Sequence, residues 1–246
     1  MKIPTMSTLK NIVIGVVIST MVGLAALVGI HNERNTLLKE VRVHGNSVIK
    51  SSEFDEIRKQ VIGQHPDSLN MGDLTLLAMK NPYVDTVILR VEAAGALILD
   101  VMEYEALGML IDGDREALIA HDGTVLPFRR EAMTGPLPLI YGYSTRHESL
   151  EKELGFEEIA RFLTESRKHE LSWLTISEVT WNSEDGVVVL SQENGVKLLF
   201  GNADFDASIQ KWMAFYKEVI VHKGIGAFHT IDLRFRGQIV TRETST

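Results

Sequence analysis

The hydrophobic pattern divides the chain into one uninterrupted apolar stretch near its amino end and a long alternating region behind it. Residues 12–30 carry no charge, and Ser19 and Thr20 are their most polar members. A helix of this length spans about 28 Å, close to the hydrocarbon thickness of a bilayer. A cleavable signal peptide is the rival interpretation, but its apolar core is shorter and ends at a small-x-small site, which residues 27–31 lack. The pattern therefore predicts an uncleaved transmembrane helix over residues 12–30.

The charges that flank this span leave its orientation open. Two lysines precede it and three basic residues follow it, namely Lys2, Lys10, Arg34, Lys39 and Arg42. Long domains cross a membrane largely regardless of their charge. We therefore expect residues 1–11 to form a cytoplasmic tail and everything after residue 31 to lie outside.

Alternation predicts strands at both ends of residues 36–105. Residues 41–44 alternate between valine and polar side chains and are followed by a Gly-Asn turn. At the other end, two apolar runs, residues 84–91 and 96–104, flank Gly95 as a hairpin.

Helical spacing fills the region between these strands. In the first segment, apolar residues recur three and four apart, after Ser51 or Ser52 as the N-cap and before Gly63. The second helix is expected from Asp73, as its N-cap, to a stop before Pro82. The predicted order is β-α-α-β-β.

Residues 106–246 predict a larger mixed α/β domain with an antiparallel sheet. Helices are expected over residues 150–169 and from residue 206 to about residue 221, and the last strand is expected as one run over residues 230–240. Asp-Gly and Asn-Gly turns separate the other strands at residues 122–123, 185–186 and 194–195. The whole chain is predicted to be α+β, with Trp181, Trp212 and Phe228 in the core.

These motifs, taken in chain order, resemble the FtsQ/DivIB family of bacterial cell-division proteins. The residues that are similar to the family's POTRA domain are Gly45-Asn46, residues 81–84, Arg90 and Glu103. Those that resemble its second domain are the Asp-Gly hairpin at residues 122–123 and the motif at residues 231–235, Ile-Asp-Leu-Arg-Phe. The chain departs from the family's pattern at Ala94, where proline is usual, and at Tyr104 and Ala106, near which arginine and proline are usual.

The resemblance implies a three-part architecture and a non-enzymatic role. A POTRA domain would cover residues 36–105, and an FtsQ-type β domain would cover residues 106–246. Such a chain is a scaffold of the divisome, anchored in the inner membrane by residues 12–30, with both domains in the periplasm at the septum. The implied partners are small single-span proteins of the FtsB and FtsL type, with upstream division proteins meeting the POTRA domain.

The resemblance also places the partner site on and just after the Asp-Leu-Arg strand. The positions carried over are Phe235, Arg236, Gly237, Gln238, Ile239 and Val240. A terminal strand with a free edge can pair with an incoming strand, with Phe235 as an aromatic anchor and Arg236 against an acidic segment. The alternative interpretation makes every second residue core and gives Asp232 and Arg234 structural roles.

Composition excludes several classes of function. The 246 residues include no cysteine, so a disulfide framework, a thiolate metal site and a cysteine nucleophile are absent. The net charge of −8 argues against nucleic acid as a partner. The eight histidines are dispersed without a zinc motif, and Gly224-Ile225-Gly226 lacks the rest of a phosphate loop.

We therefore expect no catalytic residue, no cofactor and no metal. The Asp112-Gly113-Asp114 segment lacks the ladder of a calcium loop and is interpreted as a turn. Two other functions stay open: a POTRA-bearing component of outer-membrane protein assembly or secretion, and an envelope-anchored enzyme or ligand-binding module with a dispersed site.

Overall fold

The structure, a computed structural model, describes residues 20–21, 37–92 and 94–244. The predicted transmembrane span, residues 12–30, lies outside the described residues apart from Thr20 and Met21. Among the helices within the described ranges, none combines the length and the apolar character that crossing a membrane requires. The described residues form two compact units, which divide between Glu103 and Tyr104.

The described part of the first unit contains a small sheet and two α-helices. Its elements are β1 Glu40–His44, α1 Asp55–Val61, α2 Met71–Ala78, β2 Val84–Glu92 and β3 Ala96–Glu103, with 3-10 helices at Ser51–Phe54 and Pro66–Ser68. The strand order is β1-β3-β2, in which β1 runs parallel to β3, and β2 and β3 form an antiparallel hairpin. The order β-α-α-β-β agrees with the sequence prediction.

A carboxylate at the end of β3 fixes the loop that follows β1. The Glu103 carboxylate accepts hydrogen bonds from the backbone N–H groups of Ile49 at 2.7 Å, Val48 at 2.9 Å and Ser47 at 3.0 Å, and from the Ser47 hydroxyl at 2.7 Å. Burial acts to raise the pKa of Glu103, but these hydrogen bonds outweigh it and leave the pKa below its usual value. Gly45 enters the same loop at a φ of +80°, where a Cβ would lie 2.2 Å from the Val101 carbonyl oxygen.

Both helix starts differ from the sequence prediction, and in α2 a different side chain provides the cap. The Asn70 side chain accepts from the backbone N–H groups of Gly72 at 3.0 Å and Asp73 at 3.4 Å, so α2 begins before Asp73. Ser51 and Ser52 lie inside the 3-10 helix rather than ahead of it.

The second unit is built on a nine-stranded mixed sheet of order β12-β11-β10-β9-β8-β7-β4-β5-β6. Its strands are β4 Ala106–Asp112, β5 Arg115–Ala120, β6 Val125–Pro127, β7 Leu139–Ile140, β8 Ile176–Asn182, β9 Gly186–Ser191, β10 Lys197–Gly201, β11 Phe228–Asp232 and β12 Val240–Glu243. Its α-helices are α3 Phe156–Arg167, α4 Glu170–Leu174, α5 Phe205–Phe215 and α6 Val221–Lys223, with a π-helical turn at Tyr216–Ile220 and 3-10 helices at Arg130–Ala132 and Ile225–Ala227. The α+β class is confirmed, although β4 was not predicted.

One face of this sheet packs against α3 and α5. Phe162 of α3 lies 4.5 Å from the Phe200 ring of β10 and 5.7 Å from the Phe205 ring at the start of α5, measured between ring centroids. Trp212 and Phe228 are buried, as predicted. Burial of such rings is the main stabilising contribution to a core of this kind.

The predicted helix over residues 150–169 is shorter and broken. Gly155, at a φ of +80°, precedes α3, and a Cβ there would lie 2.1 Å from the half-buried Trp181 ring. Leu154, which lies within the predicted helix, is outside α3 and 76% exposed. The chain leaves the α-helix after Arg167 and resumes as α4.

The prediction of a single strand over residues 230–240 is wrong. Strand β11 ends at Asp232, the chain turns through residues 233–239 with Gly237 at a φ of +69°, and β12 returns antiparallel from Val240. The Asp-Leu-Arg strand is therefore an inner strand, covered on one side by β10 and on the other by β12.

Candidate partner-binding edge

Strand β12 closes one end of the nine-stranded sheet, and its outer side is open. It pairs with β11 in the register Asp232↔Val240, Ile231↔Thr241 and Thr230↔Arg242. Among the residues that the structure describes, no strand pairs with its other side. The Thr244 N–H donates to the Ala227 carbonyl at 3.0 Å.

That hydrogen bond identifies the amides that face outward. Because successive N–H groups of a strand point to opposite sides, those of Val240 and Arg242 face β11, like that of Thr244. The N–H groups of Thr241 and Glu243 therefore face the open edge.

Contacts from the preceding helices hold the carboxyl end of β12. Lys223 of α6 forms an ion pair with Glu243 at 2.5 Å, and its ammonium lies 5.0 Å from the Phe228 ring centroid. The Thr244 hydroxyl donates to the Gly226 carbonyl at 3.0 Å. The edge strand is thus tied to the 3-10 turn that leads into β11.

The Asp-Leu-Arg motif fixes the loop between β11 and β12. The Arg234 guanidinium donates to Asp232 at 2.7 Å and to Asp185 of the β8–β9 turn at 3.0 Å. Lys211 of α5 donates to the carbonyls of Leu233 and of Phe235, the latter at 2.7 Å. The structural role for Asp232 and Arg234, one of the two open interpretations, agrees with this geometry.

The charges of this cluster shift one another's protonation. Burial acts to raise the pKa of Asp232, but the hydrogen bonds from Arg234 outweigh it and the pKa lies below its usual value. The Asp232 hydrogen bond raises the pKa of Arg234. Burial lowers the pKa of Lys211, against the opposing attraction of Asp204 and Asp232.

The structure places five of the six predicted partner-binding residues in the loop rather than on a strand. Phe235, Arg236, Gly237, Gln238 and Ile239 precede β12, and Val240 is its first residue. The six are contiguous and lie together beside the open edge, but they are not on the Asp-Leu-Arg strand.

Two exposed apolar side chains stand beside this edge. Phe235 is 45% exposed and Val240 is 48% exposed, whereas Ile239 packs against the core. A cavity of about 480 Å³ lies under the loop and is lined by three cations, Lys211, Arg234 and Arg236, and one acid, Asp204. An apolar rim beside a cationic cavity can receive a segment that carries both apolar and acidic side chains.

The sequence did not reveal the residues outside the predicted site that hold the loop before β12 or form the edge strand itself. Lys211 lies on α5, Asp185 lies in the β8–β9 turn, and Thr241 lies just beyond the strand predicted over residues 230–240. Gly237 was the local signal for a turn, because glycine is the residue that adopts a positive φ most readily.

The turn at Asp112-Gly113-Asp114 has a structural role. The Asp112 carboxylate accepts from the Ser144 hydroxyl at 3.0 Å and from the Thr145 N–H at 3.1 Å, and these hydrogen bonds lower its pKa. Asp112 therefore joins the β4–β5 turn to the loop after β7. This structural role agrees with the interpretation of residues 112–114 as a turn.

The family comparison decides the affiliation of the second unit. The family model described as FtsQ/DivIB, C-terminal related, matches residues 109–242, more than half of the chain. The chain belongs to this FtsQ/DivIB-related family. No curated protein gives a significant match.

Three general conclusions follow from membership of the FtsQ/DivIB-related family. It gives the chain a role in cell division at the division site. It places the chain in a non-enzymatic family. Because FtsQ/DivIB proteins are associated with the divisome, it also implies protein partners.

Proposed function

We propose that the protein is a non-enzymatic scaffold of the bacterial divisome that links early and late division proteins. The supporting observation is that the family match, residues 109–242, includes the loop before the open edge strand and the first three residues of that strand. In this proposal, small single-span proteins of the FtsB and FtsL type bind there.

The proposed binding mode is strand addition to β12. An incoming strand would accept from the outward N–H groups of Thr241 and Glu243. Because β12 has only four residues, few backbone hydrogen bonds are available, and side chains must contribute to the affinity. Phe235 and Val240 would supply apolar contacts, and Arg236 with its cationic cavity would receive an acidic side chain.

The remaining parts of the scaffold are also proposals. Residues 12–30 would anchor the chain in the inner membrane, with residues 1–11 in the cytoplasm and the rest in the periplasm. Residues 36–105 would form a POTRA domain that meets upstream division proteins. The β-α-α-β-β order, with β1 parallel to β3, supports that assignment.

The test is photo-crosslinking in dividing cells from positions 238 and 240. Phe128, 42% exposed and next to β6 at the opposite end of the sheet, is the matched control position. We expect small single-span proteins to be captured from 238 and 240 but not from 128. Capture of an outer-membrane barrel protein, or equal capture from all three positions, would contradict the proposal.

A substitution pair separates backbone pairing from side-chain contact. Thr241→Pro removes the outward N–H without removing a hydrogen bond to β11, whereas Thr241→Ala keeps that N–H. We expect proline to reduce the captured partner at least about tenfold and alanine to leave it nearly unchanged. Equal capture by both variants would rule out strand addition at this edge.

A further inference from the structure

The second unit contains a group of three potential metal ligands that precede the partner edge in the sequence. Glu165 lies near the end of α3, His169 lies between α3 and α4, and Asp206 lies in the first turn of α5. One ligand atom from each residue falls within 4.8 Å of the other two. Sequence reasoning missed this group because it searched for histidine pairs, whereas a single histidine is joined here by acids from two helices.

Backbone contacts hold the histidine in position. The His169 N–H donates to the Ser166 carbonyl at 3.0 Å, and its carbonyl accepts from the Trp173 N–H at 2.9 Å. Lys168 and His169 therefore form the turn between α3 and α4, and His169, at a φ of −126° and a ψ of 104°, is the N-cap of α4. These two backbone hydrogen bonds fix the position of His169 relative to the end of α3.

An aromatic contact holds the third ligand against the other two. Phe205, which precedes Asp206, is buried against Phe162 of α3 at 5.7 Å between ring centroids. The Arg161 guanidinium covers the same ring at 5.6 Å. Neither helix can move at this point without opening a buried contact, so the backbone positions of Glu165 and Asp206 are fixed relative to each other.

The surroundings of the group favour a cation. Glu165 and Asp206 line a cavity of about 750 Å³, whose wall contains six acids, one arginine, Arg161, and one histidine, His121. The acids are Asp122, Glu151, Glu157, Glu165, Asp204 and Asp206. Lys168 opposes this field, because its ammonium lies 2.6 Å from one Glu165 carboxylate oxygen.

We propose that Glu165, His169 and Asp206 form a site for a divalent transition-metal ion, with Zn²⁺ as the best fit. An imidazole with two carboxylates is a donor set that zinc accepts, and three protein ligands leave a further position for water. Magnesium and calcium prefer oxygen ligands alone, so the imidazole discriminates against them. Such an ion would join α3 to α5 and would be exchangeable, because Asp206 is exposed.

The test is a titration of the full-length chain, freed of metal, with ZnCl₂ against a competing fluorescent chelator. We expect one Zn²⁺ per chain and a loss of affinity of at least about tenfold in both His169→Ala and Asp206→Asn. His147→Ala is the matched control, since His147 pairs with Glu153 at 3.0 Å elsewhere in the same unit. Absence of one-to-one binding, or equal affinity in His169→Ala and wild type, would overturn the proposal.

Two further readouts distinguish a built site from charge alone. Lys168→Met removes the competing ammonium and is expected to strengthen Zn²⁺ binding about two- to threefold. Mg²⁺ at equal concentration is expected to leave bound Zn²⁺ in place, whereas its displacement by Mg²⁺ would show a carboxylate cluster without a role for His169. Asp206→Asn lies on the surface and keeps the test decisive if His169→Ala fails to fold.

Discussion

In each of the two units a motif carboxylate fixes a loop, but the groups that donate hydrogen bonds to this carboxylate differ. In the first unit, Glu103 accepts from the backbone of Ser47, Val48 and Ile49. In the second unit, Asp232 is held mainly by the guanidinium of Arg234. Backbone N–H groups cannot turn away to another partner, whereas a guanidinium can, so the first arrangement should be the more costly to lose.

The largest effect is expected for Glu103→Ala. This variant leaves three backbone N–H groups without their acceptor, of which that of Ile49 lies in a buried residue. We expect the free energy of unfolding to fall by about 2–3 kcal/mol. Chemical denaturation measures the loss, and amide exchange of Val48 and Ile49 localises it.

Two control variants accompany this experiment. Glu103→Gln keeps one oxygen acceptor without the charge and should lose less than Glu103→Ala. Asp85→Asn changes an exposed acid on β2 and should alter stability by less than about 0.5 kcal/mol. If Glu103→Ala is no more damaging than Asp85→Asn, the loop does not depend on this carboxylate.

A smaller part of the same stabilisation should disappear on acidification. Since the pKa of Glu103 is lower in the folded chain than its usual value, its contribution is complete above the unfolded pKa of about 4.3 and is lost as pH falls through the folded pKa. The loss is partial, because a protonated carboxyl still offers a carbonyl acceptor. Unfolding measured between about pH 7 and pH 2 should show the stability difference between wild type and Glu103→Gln shrinking; a constant difference would contradict this assignment.

In the second unit, Arg234→Met should cost less, about 1 kcal/mol, because the ion pairs are partly solvated and the Arg234 N–H still donates to Asp232. The substitution should weaken the loop and β12 more than it lowers the free energy of unfolding, since the loop before β12 loses a hydrogen-bonded contact. Faster amide exchange in β12 measures that effect. Lys197→Met is the matched control: Lys197 also pairs with Asp185, at 3.2 Å, but lies on β10 rather than in the loop. Equal acceleration in both variants would show that the Arg234 guanidinium is not what holds the loop.

The sequence predicted the elements that local signals define. The hairpins around Gly95, Asp185-Gly186 and Asn194-Gly195 carry their turn residues between two apolar runs, and all three are present. Glu103 was singled out by resemblance, but its role was not predictable. Its partners lie more than fifty residues earlier in the chain, and periodicity carries no information about such pairs.

The partner edge shows why alternation alone misplaced the last strand. Ile231, Leu233 and Phe235 keep a period of two past the end of β11, and Ile239 returns to that period after Gly237, so the alternation does not mark where β11 ends. The break is enforced by distant groups, Lys211 and Asp185, which bind the loop backbone and the Arg234 side chain. The candidate region was therefore predictable, but the edge strand within it was not.

The smallest effect is expected at the exposed ion pair that ties β12 to α6. Lys223→Ala removes the 2.5 Å contact with Glu243, whose side chain is 60% exposed, so the free energy of unfolding should change by about 0.5 kcal/mol or less. The Lys223 ammonium also covers the Phe228 ring, and Lys223→Met keeps part of that apolar contact without the charge. Amide exchange of β12 under increasing salt separates the two contributions. If the ion pair with Glu243 anchors the strand, the exchange rate of wild type should approach that of Lys223→Met as the salt concentration rises. If the difference between the two exchange rates does not depend on salt, the anchoring comes from the cation over the ring.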